Sequence, residues 1–483
     1  MNKELPSALK LNNTAPAYSK MRVETSIIEP IINTTAEGST VRFVLEKKAM
    51  LDTNSIVTLG IKSASGVSSL FLPIGAGITS AIQRCRCKIG NYVLQDVDDF
   101  AYLFTYMSKF KAQEEREKVD SIRLGTADSV CPSTQSGKVG RMSLKNLTYT
   151  SPSTAVVNSI NAITDNDATT FVGSIKLHEL FSIFKSFSLP LYLLNDPLVI
   201  EFDLRQQANA IGTLGQVACR TLGSGDAVNI EYSKPNIMML VDYLSYESEL
   251  QDEVARQVMS EEGLNIAYED ILLYNATLPA VANPGGTATR VQNETVQLGL
   301  GNRLVNWICL QEKEAGTSNG LMGDYFSQAH PIPDEVNMRV NDLQYLNRPV
   351  SRESEKFNYV EQVHDVPLQI HNAEYSWDTM VNKLAASNEL GSSANNPKNQ
   401  DLFDDLTLQG HQANLVQANS HYTAFSLATD RFSKRPTRVG VKPILLERTL
   451  KRTAQDYQAY DQRIYASVTR SVQLRNGEVS VSA

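Results

Sequence analysis

Short runs of alternating apolar and polar residues recur along the whole chain, each bounded by turn residues. From Arg22 the sequence reads RVETSIIEPII; STVRFVL follows Glu37-Gly38, and SIVTLGI follows Asp52 to Asn54. Runs of this kind, rich in Val, Ile and Thr, predict strands that bury one face. The same pattern predicts strands at 82–89, 197–204, 236–244, 267–278, 303–311, 336–346 and 438–450. A closing hairpin is expected where SVQL and VSVS flank Arg475-Asn476-Gly477-Glu478, because Asn-Gly readily supplies the two positive φ angles of a tight turn.

Helical spacing is scarcer. Residues 96–118 open with acids and place Phe100, Leu103, Phe104 and Met107 on one face, which predicts a helix at a sandwich edge. Residues 174–188 put Leu177, Leu180, Phe181, Phe184 and Phe187 on one face, with Ser174 as cap and Pro190 as stop, followed by a short strand at LYLL. A third helix, from about Ser248 to Glu262, falls midway and marks the boundary between two similar strand-rich halves. Long loops are expected at 125–170 and 313–332, with a Ser/Asn-rich stretch at 391–400. CRCKIGNYVLQD (85–96) and NMRVNDLQYLNR (337–348) share the order strand, Asn/Gly/Asp turn, second strand, a weak echo of duplication.

Length agrees with two domains, since 483 residues exceed the roughly 250–300 at which one core stops growing. Hydrophobic residues make up 42% and charged residues 20%, which excludes wholesale disorder. No window approaches the ~18 unbroken apolar residues of a membrane span, so membrane insertion is not expected. The N-terminus is polar where a secretory signal needs an apolar run, so synthesis in the cytosol is expected. An odd five cysteines suit a reducing compartment, and the triplets at Asn12, Asn33, Asn146, Asn275 and Asn293 then read as chance products, not glycosylation sites.

The net charge of −8 is unevenly spread. Residues 431–475 carry eleven Lys/Arg against three acids, a local +8, and residues 1–22 add +3, leaving an acidic body between basic ends. An ordinary solvated face is the simpler reading, with some arginines paired inside strands; a surface meeting something anionic is the alternative.

No constellation for chemistry emerges. Gly299-Leu300-Gly301 lacks the third glycine of a dinucleotide fingerprint, and Ser136-Gly137-Lys138 lacks the rest of a phosphate loop. His178-Glu179 has no second histidine, and Cys85-x-Cys87 has no partner pair. His364, Asp365 and His371 are read as structural, and Asp165-Asn166-Asp167 as a polar turn without the glycine or closing glutamate of a calcium loop. We therefore assign no catalytic, cofactor-binding or metal residue.

The run IKLHELFSIFKSFSLPLYLLNDPLVIEFDLR (175–205), and the ending RIYASVTRSVQLRNGEVSVSA, resemble double-jelly-roll viral major capsid proteins, most closely in pattern those of virophages and Polinton-like viruses. The resemblance implies an all-β fold of two tandem eight-stranded jelly rolls with few short helices and long loops. In this reading residues 1–20 are an N-terminal arm, 21–247 the first jelly roll, 248–265 a connecting helix and 266–483 the second jelly roll. It further implies a non-enzymatic homotrimer forming pseudo-hexagonal capsomers that tile an icosahedral virion shell around double-stranded DNA. Partners would be neighbouring capsomers and minor and penton capsid proteins, with the basic termini inside, in non-specific contact with DNA. A minor capsid or lectin-like host-attachment protein is one alternative. A carbohydrate-active enzyme is another, but its paired carboxylates would have to come from Glu261-Glu262 or Asp404-Asp405, neighbours that need not share a site.

Overall fold

The computed structural model describes residues 21–31, 36–63, 70–72, 76–108, 110–111, 115–126, 170–185, 187–206, 219–220, 230–279, 289–314, 335–346, 348–364, 423–427, 436–453 and 460–482. The arm at 1–20, the stretch 391–400 and nearly all of the two expected long loops lie outside these residues.

The alternating runs form strands because one face of each is buried. In the first half these are β1 (Arg22–Ile28), β2 (Thr40–Val44), β3 (Ile56–Ser63), β4 (Ile82–Ile89), β5 (Tyr92–Asp98), β6 (Thr170–Lys176), β7 (Leu198–Leu204) and β8 (Met238–Ser245). One antiparallel sheet has the order β1-β8-β3-β6 and the other β2-β7-β4-β5. Their inner faces supply Val41, Phe43, Leu59, Cys85, Phe202 and Val241, all at most 1% exposed, with the Phe43 and Phe202 rings edge to face at 6.0 Å.

The second half repeats this plan. Its strands are β9 (Leu264–Leu278), β10 (Thr289–Leu298), β11 (Leu304–Glu314), β12 (Glu335–Val340), β13 (Leu343–Gln344), β14 (Thr423–Ser426), β15 (Ile444–Thr453) and β16 (Tyr460–Arg475). They order as β9-β16-β11-β14 and β10-β15-β12-β13, so each strand of the first half has its counterpart eight numbers later. The two echo segments are the hairpins β4-β5 and β12-β13, which occupy corresponding positions. Among the described residues no sheet mixes strands from the two halves.

The final strand, β17 (Glu478–Ser482), folds back on β16 through Asn476 and Gly477, whose φ angles are 51° and 79°. The Asn-Gly expectation is met. The β12-β13 turn uses the same device, with Asn341 at φ 54° and Asp342 at φ 65°.

The helices depart from expectation. The acids Asp96 and Asp98 belong to strand β5, alternating with Gln95 and Val97 on the β4 partner, so the expected helix at 96–118 is corrected at its start. Asp99, at φ 48°, ends the strand, and α1 (Phe100–Ser108) begins after it. Apart from Met107 every residue of α1 is buried, so it is wedged inside the molecule rather than lying on a sandwich edge.

The helix expected at 174–188 is likewise corrected. Ser174 to Lys176 complete strand β6, and after them come one helical turn at Leu177–Leu180, an extended Phe181 and a 3-10 turn at Ser182–Phe184. Leu177, Leu180, Phe181, Ile183 and Phe184 are all buried, so their spacing reports burial on several sides and not one amphipathic face. The LYLL segment is a 3-10 turn at Leu191–Leu193 instead of a strand. The middle helix, α2 (Ser248–Val258), forms as expected, though it ends before Glu262; α3 (Glu353–His364), which the apolar pattern does not show, packs on β14.

Candidate functional site

The joint between the two halves is built from side chains of several separate elements. Helix α1, from the first half, lies against the outer face of the β9-β16-β11-β14 sheet. Asp99, placed at the head of α1 by its positive φ, accepts from Arg463 of β16 at 2.9 Å and from Arg205 at 3.4 Å. The Arg463 guanidinium also sits 3.7 Å from the centre of the Tyr102 ring. Burial works against its charge, but the facing Tyr102 and Asp99 more than offset this and raise its pKa.

Further along α1, Tyr106 packs against Trp307 of β11 at 6.3 Å and its hydroxyl meets His364 Nε2 at the end of α3. His364 stacks on Phe110 at 3.8 Å. The Trp307 indole donates to Glu269 of β9 at 2.8 Å, and the Ser182 hydroxyl donates to the Glu269 carbonyl. Tyr268 donates to the Leu94 carbonyl of β5, and Arg470 reaches the same carbonyl at 3.3 Å. The C-terminal hairpin completes the joint: Asn195 N–H donates to the Gly477 carbonyl at 2.9 Å and Asn476 N–H to the Val258 carbonyl at 3.0 Å. This hydrogen-bonded, aromatic and apolar seam has the character of a permanent interface rather than a moving hinge.

The outer face of the β2-β7-β4-β5 sheet is a closed ladder of charges. Glu201, 2% exposed, lies among Lys88 at 2.6 Å, Arg42 at 2.7 Å and Arg86 at 3.4 Å. Burial pushes its carboxyl upward, yet Lys88 and Arg42 overcome that and hold it below the usual range. Asp203 takes the other side of Arg86 at 3.0 Å, and Arg84 pairs with Asp96. Among the described residues each of these cations is already paired with a carboxylate, three of them sharing Glu201, so the face holds no open anion cradle.

Among the described residues, those with candidate chemistry are held in the packing of the fold. Cys85 and Cys87 are buried in β4 and burial pushes both thiols up, away from the thiolate that metal binding or nucleophilic attack requires. His178 Nδ1 donates to the Thr53 carbonyl at 3.1 Å. His364 is an aromatic partner in the joint. Leu300 is buried between Gly299 and Gly301 in the β10-β11 turn, and Glu261-Glu262 are exposed just after α2. Ser136 to Lys138, Asp165 to Asp167, Asp365, His371 and Asp404-Asp405 lie outside the described residues. Among the described residues no three His, Cys, Asp or Glu side chains converge as a metal site, and no helix is long and apolar enough to cross a membrane.

Glu179 is held by two cations and a backbone N–H. It receives Arg123 at 2.5 and 2.6 Å, Lys111 at 3.1 Å and the Lys176 N–H at 3.1 Å, while Asp120 takes Lys111 at 2.8 Å and Arg123 at 2.9 Å. Burial alone would raise its pKa; Arg123 and Lys111 instead lower it from 4.5 to about 2. A depressed carboxylate pKa adds stability that is complete above the unfolded value and is lost as pH falls from there through the folded one, here from 4.5 towards about 2. Glu179→Gln should therefore cost roughly 3 kcal/mol at pH 7 and flatten the fall in stability below pH 5, as read from urea midpoints at stepped pH. Equal losses for wild type and variant between pH 5 and 3 would refute this.

The basic C-terminal region is partly consumed by the fold. Arg448, fully buried, pairs with Glu294 at 2.6 Å, Arg463 with Asp99, and Arg470 with Asp270 at 2.8 Å. Lys442 pairs with Asp342 at the surface, while Arg438 and Arg475 are exposed. Arg431, Lys434 and Arg435, with the side chains of Lys451 and Arg452, lie outside the described residues.

No protein-family model matches the chain, and no curated protein sequence does. Solved structures do. A chain of the Sputnik virophage covers 99% of this chain and 92% of its own length, with a TM-score of 0.57 at 10% identity. A chain of the PBCV-1 virus capsid matches over 98% of both chains, with a TM-score of 0.54 at 12% identity. The mavirus major capsid protein matches over 99% of this chain and 94% of its own, with a TM-score of 0.51 at 9% identity. With two equivalent sandwiches in one chain, each containing the same eight corresponding strands, the architecture is the double jelly roll. It is the fold of viral major capsid proteins.

Proposed function

We propose that this chain is a major capsid protein. Three copies associate into a pseudo-hexagonal capsomer, with residues 21–247 and 266–483 as its two jelly rolls and 248–265 between them, and capsomers tile an icosahedral shell around double-stranded DNA. The observation that carries this reading is the pair of equivalent sandwiches locked by one buried joint. Two like domains in a trimer present six like edges, which is what a hexagonally packed shell requires. Synthesis is in the host cytoplasm, the working location is the virion, and minor and penton proteins fill the positions a trimer cannot. The function needs no catalysis. Contact with packaged DNA falls to the basic residues that the fold leaves exposed and to the arm at 1–20; it is non-specific and weakens with salt.

Native mass spectrometry at micromolar concentration tests the proposal. The expected species has about three times the 53.4 kDa of one chain, held by interfaces of about 2,000–5,000 Å² each. A chain that stays single at every salt and protein concentration overturns it.

A further inference from the structure

The two sandwiches end in unlike edges. In each half the second strand borders its sheet, β2 in the first and β10 in the second. Strand β2 is five residues long, and its Arg42 carbonyl already accepts the Ile31 N–H at 2.8 Å, so part of that edge is taken. Strand β10 is twice as long. Its ten residues run in unbroken register with β15, from Thr289 opposite Thr453 to Leu298 opposite Ile444, and among the described residues β15 is its only strand partner. An edge strand presents a row of unpaired N–H and C=O groups, which proteins normally blunt with lysine, proline or a bulge. The sequence TRVQNETVQL contains neither Lys nor Pro, and its pairing with β15 shows no bulge. On the outer face Val291 is 52% exposed, and Asn293, Thr295 and Gln297 beside it are exposed and uncharged. Glu294, on the opposite face, is held by Arg448 at 2.6 Å and by Gln292 at 2.8 Å.

We propose that β10 pairs edge to edge with β10 of a second copy of this chain, antiparallel across a two-fold axis, and that this contact joins one capsomer to the next. The inference rests on the capsid reading above and deepens it by naming a contact between trimers. Identical strands paired antiparallel are related by a two-fold, so each copy brings both sides of the contact and no second surface is needed. The uncharged outer row does not repel its twin. Charge on the other face selects the register. With Asn293 on the axis, Val291 lies opposite Thr295, a pair of β-branched residues suited to a sheet, and Gln292 lies opposite Glu294. With Glu294 on the axis, two carboxylates would stand face to face, which destabilises a strand pair. Each trimer carries three such edges. A two-fold between trimers, added to the three-fold within them, supplies operators from which a closed shell can be built.

The test replaces residues that are exposed in the single chain, so that folding is preserved, and far-ultraviolet circular dichroism of all variants should coincide with wild type. Single cysteines read the register. The N293C variant sets two thiols across the axis with Cα atoms about 4.5–5.5 Å apart, within reach of a disulfide, whereas in T295C the two thiols are offset by about 13 Å along the strand. Under mild oxidation of the associated protein, N293C is expected to give covalent chain dimers on non-reducing gels, and T295C and wild type none. The double variant V291K/T295K sets lysine against lysine at both opposed pairs and is expected to weaken association of trimers about tenfold or more, with the trimer itself intact by native mass spectrometry. Hydrogen exchange in 289–298 should slow as wild-type trimers associate. If N293C cross-links no better than T295C, or V291K/T295K associates as well as wild type, the β10 pair is overturned while the capsid reading stands. Slowed exchange in 289–298 without N293C cross-linking would put a different strand on this edge and also overturns the pair. Wild-type trimers that never associate further overturn this contact alone; wild-type chains that never form trimers overturn both readings.

Discussion

Asp99→Asn is expected to destabilise the chain by about 3 kcal/mol and to loosen its two halves from each other before either sandwich melts. Asparagine keeps the size of the side chain and tolerates the left-handed φ of 48°, so the variant isolates the charge. Removing that charge leaves Arg463 and Arg205 facing each other in the joint, and breaking a buried pair typically costs about 3–5 kcal/mol. Asp99 and Arg463 each keep 17% of their surface, which puts the loss near the lower end of that range. The ring of Tyr102 still faces Arg463 and retains part of the interaction. Chemical denaturation of D99N, R463M and the double variant measures the pair directly. The double variant should be less destabilised than the two single losses added together. Additive losses, or a D99N midpoint equal to wild type, would remove the ion pair from the joint.

Much of the fold is legible in the sequence because strands that bury one face must alternate. The runs at 22–32, 39–45, 55–61 and 82–89 sit on strands β1 to β4, and Asn476-Gly477 forms the expected turn. Legibility fails where burial is not one-sided. The run at 174–188 is buried from several directions, and its apolar spacing imitates a helix. It fails again where an interior position carries charge: β10 escapes the pattern because Glu294, facing inward, pairs with the buried Arg448 and breaks the apolar alternation on both strands.

The joint is scarcely legible. Tyr102, Tyr106, Trp307, His364 and Arg463 come from four separate stretches of sequence, and none has a local pattern that announces its partner. A signal is present only in α1, where Ala101, Tyr102, Thr105 and Tyr106 add bulk or small apolar surface outside the predicted stripe. A helix covered all round needs something to pack on each side, and here that is one sandwich below and the other above.

Gly477→Ala should detach the C-terminal hairpin from the first half, with a loss of about 3–5 kcal/mol. Two separate costs combine. Gly477 sits at φ 79°, where a side chain costs about 1–2 kcal/mol. A Cβ there would also overlap Asn195 Oδ1 and lie 2.9 Å from the Leu193 carbonyl, inside contact distance. Asn195 can rotate away, but the Leu193 carbonyl is backbone, so the turn itself must lift. Lifting breaks the hydrogen bonds from Asn195 N–H to Gly477 and from Asn476 N–H to Val258, and it uncovers Val479, which is buried at 4% exposure. Because β17 pairs with β16, and β16 carries Arg463 and Tyr465, the disturbance reaches the joint through one continuous strand pair. Limited proteolysis of the single chain should show new cleavage at residues 475–478 in G477A and not in wild type. The double variant G477A/N195A removes the Oδ1 clash but neither the φ cost nor the carbonyl contact, so it should recover only part of the lost stability. Full recovery would mean that the turn bears no backbone strain, and no loss in G477A itself would mean that the hairpin does not help hold the two jelly rolls together.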